Sequence, residues 1–185
     1  MAAVWSFFSP CWRVWSPHPP PARGLNGWPR RPDPRPGRAT GECNGYPCPD
    51  PSYAVSPQID PADLPAIKAA GYSLIIDNRP DGEIPPDLHT DVIRAAAEAL
   101  GLAFVANPVI GGALTMDNVA TQRAAIEAAS GPVFAYCASG NRSSVVWALA
   151  HAGTLPVDDL IAIPARFGYQ LEHLRPTLQG LAQQG

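Results

Sequence analysis

Short apolar runs alternate with helix-forming segments along residues 51–185, and this alternation does most to limit the folds open to the chain. The apolar runs predict strands at residues 53–55, 72–76, 102–106 and 132–136. Capping residues and apolar faces at helical spacing predict helices at residues 60–70, 87–100, 115–130 and 143–152. Strands that alternate with helices form largely parallel sheets, because each crossover returns the chain to the same end of the sheet. An α/β domain is therefore expected.

Proline marks a boundary near residue 50. Of the 23 prolines in 185 residues, eleven fall in residues 1–50, together with four of the five tryptophans. Because proline lacks an N–H group and fixes φ, runs such as residues 29–36 cannot build helix or sheet ladders. We expect residues 1–50 to be a Pro/Arg/Trp-rich leader that is disordered or reflects a mis-assigned start. Residues 51–185 are expected to be the folded, catalytic domain.

Composition argues against several functional classes. The formal net charge is −3 and no apolar stretch approaches ~18–20 residues, so neither a nucleic-acid partner nor a membrane span is expected. Cys137 is the only cysteine of residues 51–185, which excludes a disulfide scaffold there and favours a cytoplasmic location. Cys43 and Cys48 lack a second ligand pair at zinc spacing. We predict no metal site and no cofactor.

The loop between the last predicted strand and the helix at 143–152 carries the residues best suited to chemistry. Cys137 directly follows its strand, and ligands of parallel sheets bind at the carboxyl ends of strands. The helix N-terminus, the backbone freedom of Gly140 and the charge of Arg142 all stabilise an anion, and Ser143 can donate a hydrogen bond to it. Cys137 is therefore predicted to be a thiolate nucleophile. Anion binding is assigned to Ala138, Ser139, Gly140, Asn141, Arg142 and Ser143.

A second group of charged residues follows the strand at 72–76. Asp77, Arg79 and Asp81 are predicted to lie at the same edge of the sheet as Cys137. They are candidates for orienting Arg142 or lining a pocket. A turn held by its own salt bridges is an equally good interpretation of these residues.

Tyr-Cys-x-x-Gly-x-Arg-Ser at residues 136–143 is similar to the active-site loop of rhodanese-type sulfurtransferases. With residues 56–59, 78–82, 107–109, 168–169 and 174–176, it resembles the small rhodanese-like, phosphatase-like domains found alone or fused to β-lactamase-fold hydrolases and persulfide dioxygenases. The resemblance implies the three-layer fold of dual-specificity phosphatases, with a central, mostly parallel sheet of four or five strands between helices. It also implies that Cys137 carries sulfane sulfur as a persulfide and that Arg142 binds the donor's anionic group.

Two departures bear on which reaction is expected. Four residues separate Cys137 from Arg142, whereas phosphatases of this fold have five, and residues 109–112 contain no general acid where those phosphatases carry one. The chain is therefore predicted to be a sulfurtransferase that moves sulfane sulfur from a persulfide or thiosulfate donor to a thiol or another thiophilic acceptor. Functional coupling to a persulfide dioxygenase or β-lactamase-fold hydrolase is implied. Ala138 stands where many relatives have a second arginine, which disfavours thiosulfate.

Two alternatives stay open at this point. The first is a cysteine-dependent phosphatase of the tyrosine or dual-specificity type, which acts through a phosphocysteine and has a bell-shaped pH profile. The second is a non-catalytic interaction domain whose leader binds a groove on a partner.

Overall fold

The computed structural model describes residues 53–183 and, before them, the backbone of three short strands. These strands are β1 (Trp12–Val14), β2 (Glu42–Cys43) and β3 (Tyr46–Pro47). The other residues of the leader lie outside the described part of the chain, so the disorder predicted for them stays a prediction. Within the described residues, no helix is long and apolar enough to cross a bilayer.

Strands and helices alternate through residues 53–183 as the sequence predicts. The strands are β4 (Tyr53–Ser56), β5 (Leu74–Asp77), β6 (Ala103–Ala106) and β7 (Val133–Tyr136). The helices are α1 (Leu64–Ala69), α2 (Thr90–Ala99), α3 (Met116–Glu127), α4 (Asn141–Ala150), α5 (Val157–Ala165) and α6 (Arg175–Ala182). Single 3₁₀ turns lie at Pro61–Asp63, Asp81–Glu83, Pro86–Leu88 and Glu172–Leu174.

All pairings in the central sheet are parallel. Its strand order is β1-β4-β7-β5-β6, and β2 and β3 form a separate antiparallel pair. In register, Asp77 at the end of β5 pairs with Tyr136 at the end of β7, and Ser56 at the end of β4 pairs with the same residue from the other side. The loops that follow β4, β5 and β7 therefore leave the sheet side by side.

Helices cover both faces of the sheet, which confirms the expected three-layer α/β fold. Ile75 and Phe134 point to the face where α1 and α2 pack, whereas Ile76 and Ala135 point to the face of α3, α4, α5 and α6. The four central residues are fully buried. Strands buried on both faces are apolar without alternation, because neither side meets water.

A buried polar cluster links α3 to the loops after β5 and β6. Gln122 of α3 is fully buried, and its Oε1 accepts hydrogen bonds from Asn78 (3.1 Å) and Asn107 (2.9 Å). Its Nε2 donates to the hydroxyl of Tyr53 at 2.7 Å. Asn78 and Asn107 are the first residues after their strands. One side chain thus fixes where two loops start at the carboxyl edge of the sheet.

We expect Gln122→Leu to lower the free energy of unfolding by about 3 kcal/mol, because it removes three buried hydrogen bonds. Urea unfolding followed by circular dichroism measures this change. Gln179→Leu, at an exposed position of α6, is the matched control and should change stability by less than about 0.5 kcal/mol. If Gln122→Leu lowered the free energy of unfolding no more than Gln179→Leu, the polar cluster would not contribute to stability.

Candidate active site

Cys137 lies at the carboxyl end of β7, the central strand of the sheet. Its N–H donates to the carbonyl of Ser56 (3.3 Å), so the residue continues the ladder of the sheet by one step. The residue is fully buried, and its Sγ accepts a hydrogen bond from the N–H of Gly140 at 3.1 Å. The loop therefore turns at least one peptide hydrogen inward onto the sulfur, which is the arrangement that stabilises a thiolate.

Gly140 is required at its position for two reasons. Its φ is +89°, in the left-handed region that residues with a Cβ atom rarely adopt. A Cβ atom built there would also overlap the hydroxyl of Tyr169 and lie 2.9 Å from its Cζ. Helix α4 begins directly after this residue, two positions earlier than the sequence predicts. The helix N-terminus consequently faces the sulfur.

Arg142 is held beside the loop by a carboxylate that the sequence analysis did not select. Its Nη1 and Nη2 donate to the two carboxylate oxygens of Glu83 at 3.0 and 2.6 Å, and Nη1 also donates to the carbonyl of Val109 at 2.6 Å. The hydrogen bond to Glu83 raises the pKa of Arg142, and the nearby Cys137 adds to that effect. The guanidinium is thus held at the loop, with only 18% of the side chain exposed.

Two arginines converge on Glu83. Arg79 places its Nε 3.2 Å from a carboxylate oxygen of Glu83 and donates from Nη2 to the backbone carbonyl of the same residue at 3.1 Å. The hydrogen bond from Arg142 lowers the pKa of Glu83, with the charge of Arg79 acting in the same direction. Glu83 is four residues after Arg79 in a turn-rich loop, and that spacing is the signal that could have identified it.

Asp77 and Asp81 do not bond to Arg142 directly, so the expected direct contact is wrong. Any effect on Arg142 passes through the turn that holds Glu83. Asp77 accepts a hydrogen bond from the N–H of Arg79 at 2.8 Å, and Asp81 accepts one from the N–H of Thr90 at 2.7 Å. The Thr90 hydroxyl lies within 3.0 Å of both carboxylates. Burial raises the pKa of Asp77. Both aspartates fix the turn to the start of α2, and their role in lining a pocket stays a prediction.

The other loop residues differ in exposure and contacts. Ala138, Ser139 and Asn141 are exposed, whereas Ser143 is fully buried. Within the described residues, the Ser143 hydroxyl has no hydrogen-bond partner. A buried hydroxyl normally has a partner, so one left without is suited to a bound group. No cluster of three or more potential metal ligands occurs in the described part of the chain.

Gly140→Ala should lower the free energy of unfolding by at least about 2 kcal/mol, because the left-handed backbone and the overlap with Tyr169 both oppose a Cβ atom. Urea unfolding measures the change. The matched control is Gly180→Ala, where no atom lies within 4 Å and φ is ordinary. That substitution lies inside α6 and should stabilise by up to about 1 kcal/mol. A neutral Gly140→Ala would contradict the proposed need for glycine.

Comparison with known proteins identifies the domain. The family model for the phosphatase-like domain of beta-lactamase hydrolase-like proteins matches residues 48–154. Beta-lactamase hydrolase-like proteins of Xylella fastidiosa (strain Temecula1) and Agrobacterium fabrum (strain C58) are 33% and 32% identical to this chain over 120 and 112 residues. The alignments cover 64% and 60% of this chain but only 28% and 26% of those proteins. The chain thus spans about a quarter of the length of these relatives.

Solved structures agree with this match. A candidate phosphatase from Neisseria meningitidis is similar with a TM-score of 0.62 and 34% identity, over 71% of this chain and 94% of that protein. A candidate phosphatase from Shewanella putrefaciens has a TM-score of 0.54 at 19% identity, over 73% of this chain and 84% of that protein, and supports the fold alone. These matches do not support the expected sulfurtransferase identity. Because the family model covers more than half of the chain, the protein belongs to the family of phosphatase-like domains of beta-lactamase hydrolase-like proteins.

Proposed function

We propose that the chain hydrolyses phosphate monoesters with Cys137 as the nucleophile. The observation that carries this proposal is the Gly140 N–H, 3.1 Å from the Cys137 Sγ, in a loop where Glu83 and the Val109 carbonyl hold the Arg142 guanidinium. A peptide N–H, a helix N-terminus and a guanidinium favour both a thiolate and a phosphoryl group. Membership in a phosphatase-like family supports the same chemistry.

The reaction has two steps. The Cys137 thiolate attacks phosphorus, the bond to the leaving oxygen breaks, and a phosphocysteine forms. Water then attacks the phosphocysteine, phosphate leaves, and the thiolate returns. In both steps the charge on the phosphoryl oxygens is stabilised by loop amides and by Arg142, which is the electrostatic contribution that dominates phosphoryl transfer. Ser143 is proposed to donate its otherwise unpartnered hydroxyl to the sulfur when it leaves the phosphocysteine.

The substrate class follows from the carboxylate nearest to Arg142. Glu83 is ion-paired with Arg142 and its pKa is lowered, so at neutral pH it is ionised and does not supply a proton. Residues 109–112 contain no acid. The proposed substrates are therefore aryl phosphates, whose phenolate leaves without full protonation.

Sulfur transfer is the second candidate, favoured by the four-residue spacing between Cys137 and Arg142. In that reaction the thiolate takes a sulfane sulfur from a persulfide or thiosulfate and passes it to a thiol. A thiolate or sulfite leaves without a general acid, so the reaction fits the same site. Coupling to a β-lactamase-fold hydrolase or a persulfide dioxygenase, and a cytoplasmic location, likewise remain proposals.

Cys137→Ser should reduce hydrolysis of p-nitrophenyl phosphate by at least about a thousandfold, because it removes the nucleophile. The same preparations are assayed in parallel for transfer of sulfur from thiosulfate and glutathione persulfide. A protein that transfers sulfur but hydrolyses no aryl phosphate would favour the second candidate.

The control for this assay replaces the three cysteines of residues 1–50. The triple variant Cys11→Ser/Cys43→Ser/Cys48→Ser should retain wild-type hydrolysis. Hydrolysis that survives Cys137→Ser but is lost in the triple variant would place the reactive thiol elsewhere and contradict the proposal.

Glu83→Gln should lower kcat/KM for the aryl phosphate about tenfold, because a neutral amide does not hold the guanidinium as firmly. Steady-state kinetics measure this loss. Glu98→Gln, exposed on α2, is the matched control and should leave kcat/KM unchanged.

Folding lowers the pKa of Glu83, so its ion pair stabilises the protein at pH values above 4.5, the ordinary pKa of a glutamate. This contribution is lost as the pH falls further. The advantage in free energy of unfolding of wild type over Glu83→Gln should therefore shrink as the pH falls below 4.5, which urea unfolding at several pH values measures. Unchanged kinetics in Glu83→Gln would contradict the role of this residue.

A further inference from the structure

Tyr169 reaches the Cys137 loop from the carboxyl-terminal part of the domain. It follows α5, beyond the residues 48–154 that the family model matches. Its hydroxyl donates to the carbonyl of Ser139 at 3.0 Å, and its ring packs against the core formed with α4 and α5. The absence of a Cβ atom at Gly140 is what permits this approach.

The two hydrogen bonds of the loop share one peptide group. The carbonyl of Ser139, which accepts from Tyr169, and the N–H of Gly140, which donates to the Cys137 sulfur, belong to the same planar unit. In a trans peptide these two groups point in opposite directions. A donor that holds the carbonyl outward therefore also holds the N–H inward, and polarisation through the amide strengthens the bond to sulfur.

We propose that Tyr169 is a positioning residue that holds the 139–140 peptide with its N–H directed at Cys137. The inference rests on the proposed use of Cys137 as a thiolate. Tyr169 lies in the carboxyl-terminal segment after α5. Through this one peptide, it favours the thiolate of a cysteine located 32 residues earlier in the chain.

The ionisable groups around the sulfur are consistent with this role. Arg142, Tyr53 and Tyr169 each interact electrostatically with Cys137. Burial raises the pKa of Tyr169, and the nearby Cys137 raises it further. The phenol accordingly stays protonated and remains a donor wherever the thiolate exists at neutral pH. Arg142 and its ion pair with Glu83 lie outside this peptide, so a change at Tyr169 leaves them in place.

The test is the pH dependence of Cys137 alkylation by iodoacetamide, followed by mass spectrometry of the peptide that contains Cys137. In Tyr169→Phe, the midpoint of the rate profile should move upward by about 0.5 to 1 pH unit, and the rate at pH 6 should fall about three- to tenfold. The limiting rate at high pH should stay within about twofold of wild type, since the thiolate itself is unchanged. Ring packing is kept, so the urea midpoint should stay within about 0.5 M of wild type.

Tyr72→Phe is the matched control, because it also removes one hydroxyl but lies before β5, at the opposite edge of the sheet, where its ring packs on Phe134. Its alkylation profile should match wild type. An unchanged midpoint in Tyr169→Phe, or loss of folding, would assign Tyr169 to packing alone and overturn the inference. Since alkylation needs no substrate, a shifted profile without phosphatase activity would retain the role of Tyr169 and reject the proposed reaction.

Discussion

The hydrogen bond from the Gly140 N–H to the Cys137 sulfur is the interaction on which the site depends. It exists because β7 ends one residue before the cysteine and α4 begins one residue after the glycine. In that short interval the chain must reverse from a buried strand into a buried helix. The left-handed conformation of Gly140 makes the reversal, and the same conformation turns a peptide hydrogen inward. The end of the fold's central strand and the proposed reactivity of Cys137 therefore depend on one backbone geometry.

The charged residues around the loop form a single chain of contacts. Asp77 and Asp81 hold the turn after β5, Arg79 and that turn hold Glu83, and Glu83 holds Arg142. Each contact lies at the carboxyl edge of the sheet, because parallel pairing brings the ends of β4, β5 and β7 together. The buried amide of Gln122 fixes the first residues of the loops after β5 and β6. A change several residues from Cys137 can thus alter the position of its guanidinium partner.

The fold was predictable because strand and helix signals in this chain are local. Apolar runs of four or five residues and glycine-terminated helices carry their own periodicity, and the predicted elements agree with the structure to within a few residues. The loop that contains Cys137, Gly140 and Arg142 was also predictable, since all three residues lie close together in the chain. The expected reaction was less well founded. It depended on a one-residue difference in loop length, and the similarity to phosphatase-like domains favours the alternative.

The alternation of strands and helices and the loop that contains the cysteine can be read from the amino-acid order, since each depends on residues close together in the chain. Which distant side chains complete that loop depends on how the chain packs. Glu83 lies 59 residues from its partner Arg142, and Tyr169 lies 30 residues from its partner Ser139. That Glu83 and not a nearby aspartate bonds to Arg142 depends on the path of the loop after β5. A hydrogen bond requires two atoms within about 3 Å, and packing brings distant residues that close whereas sequence spacing does not.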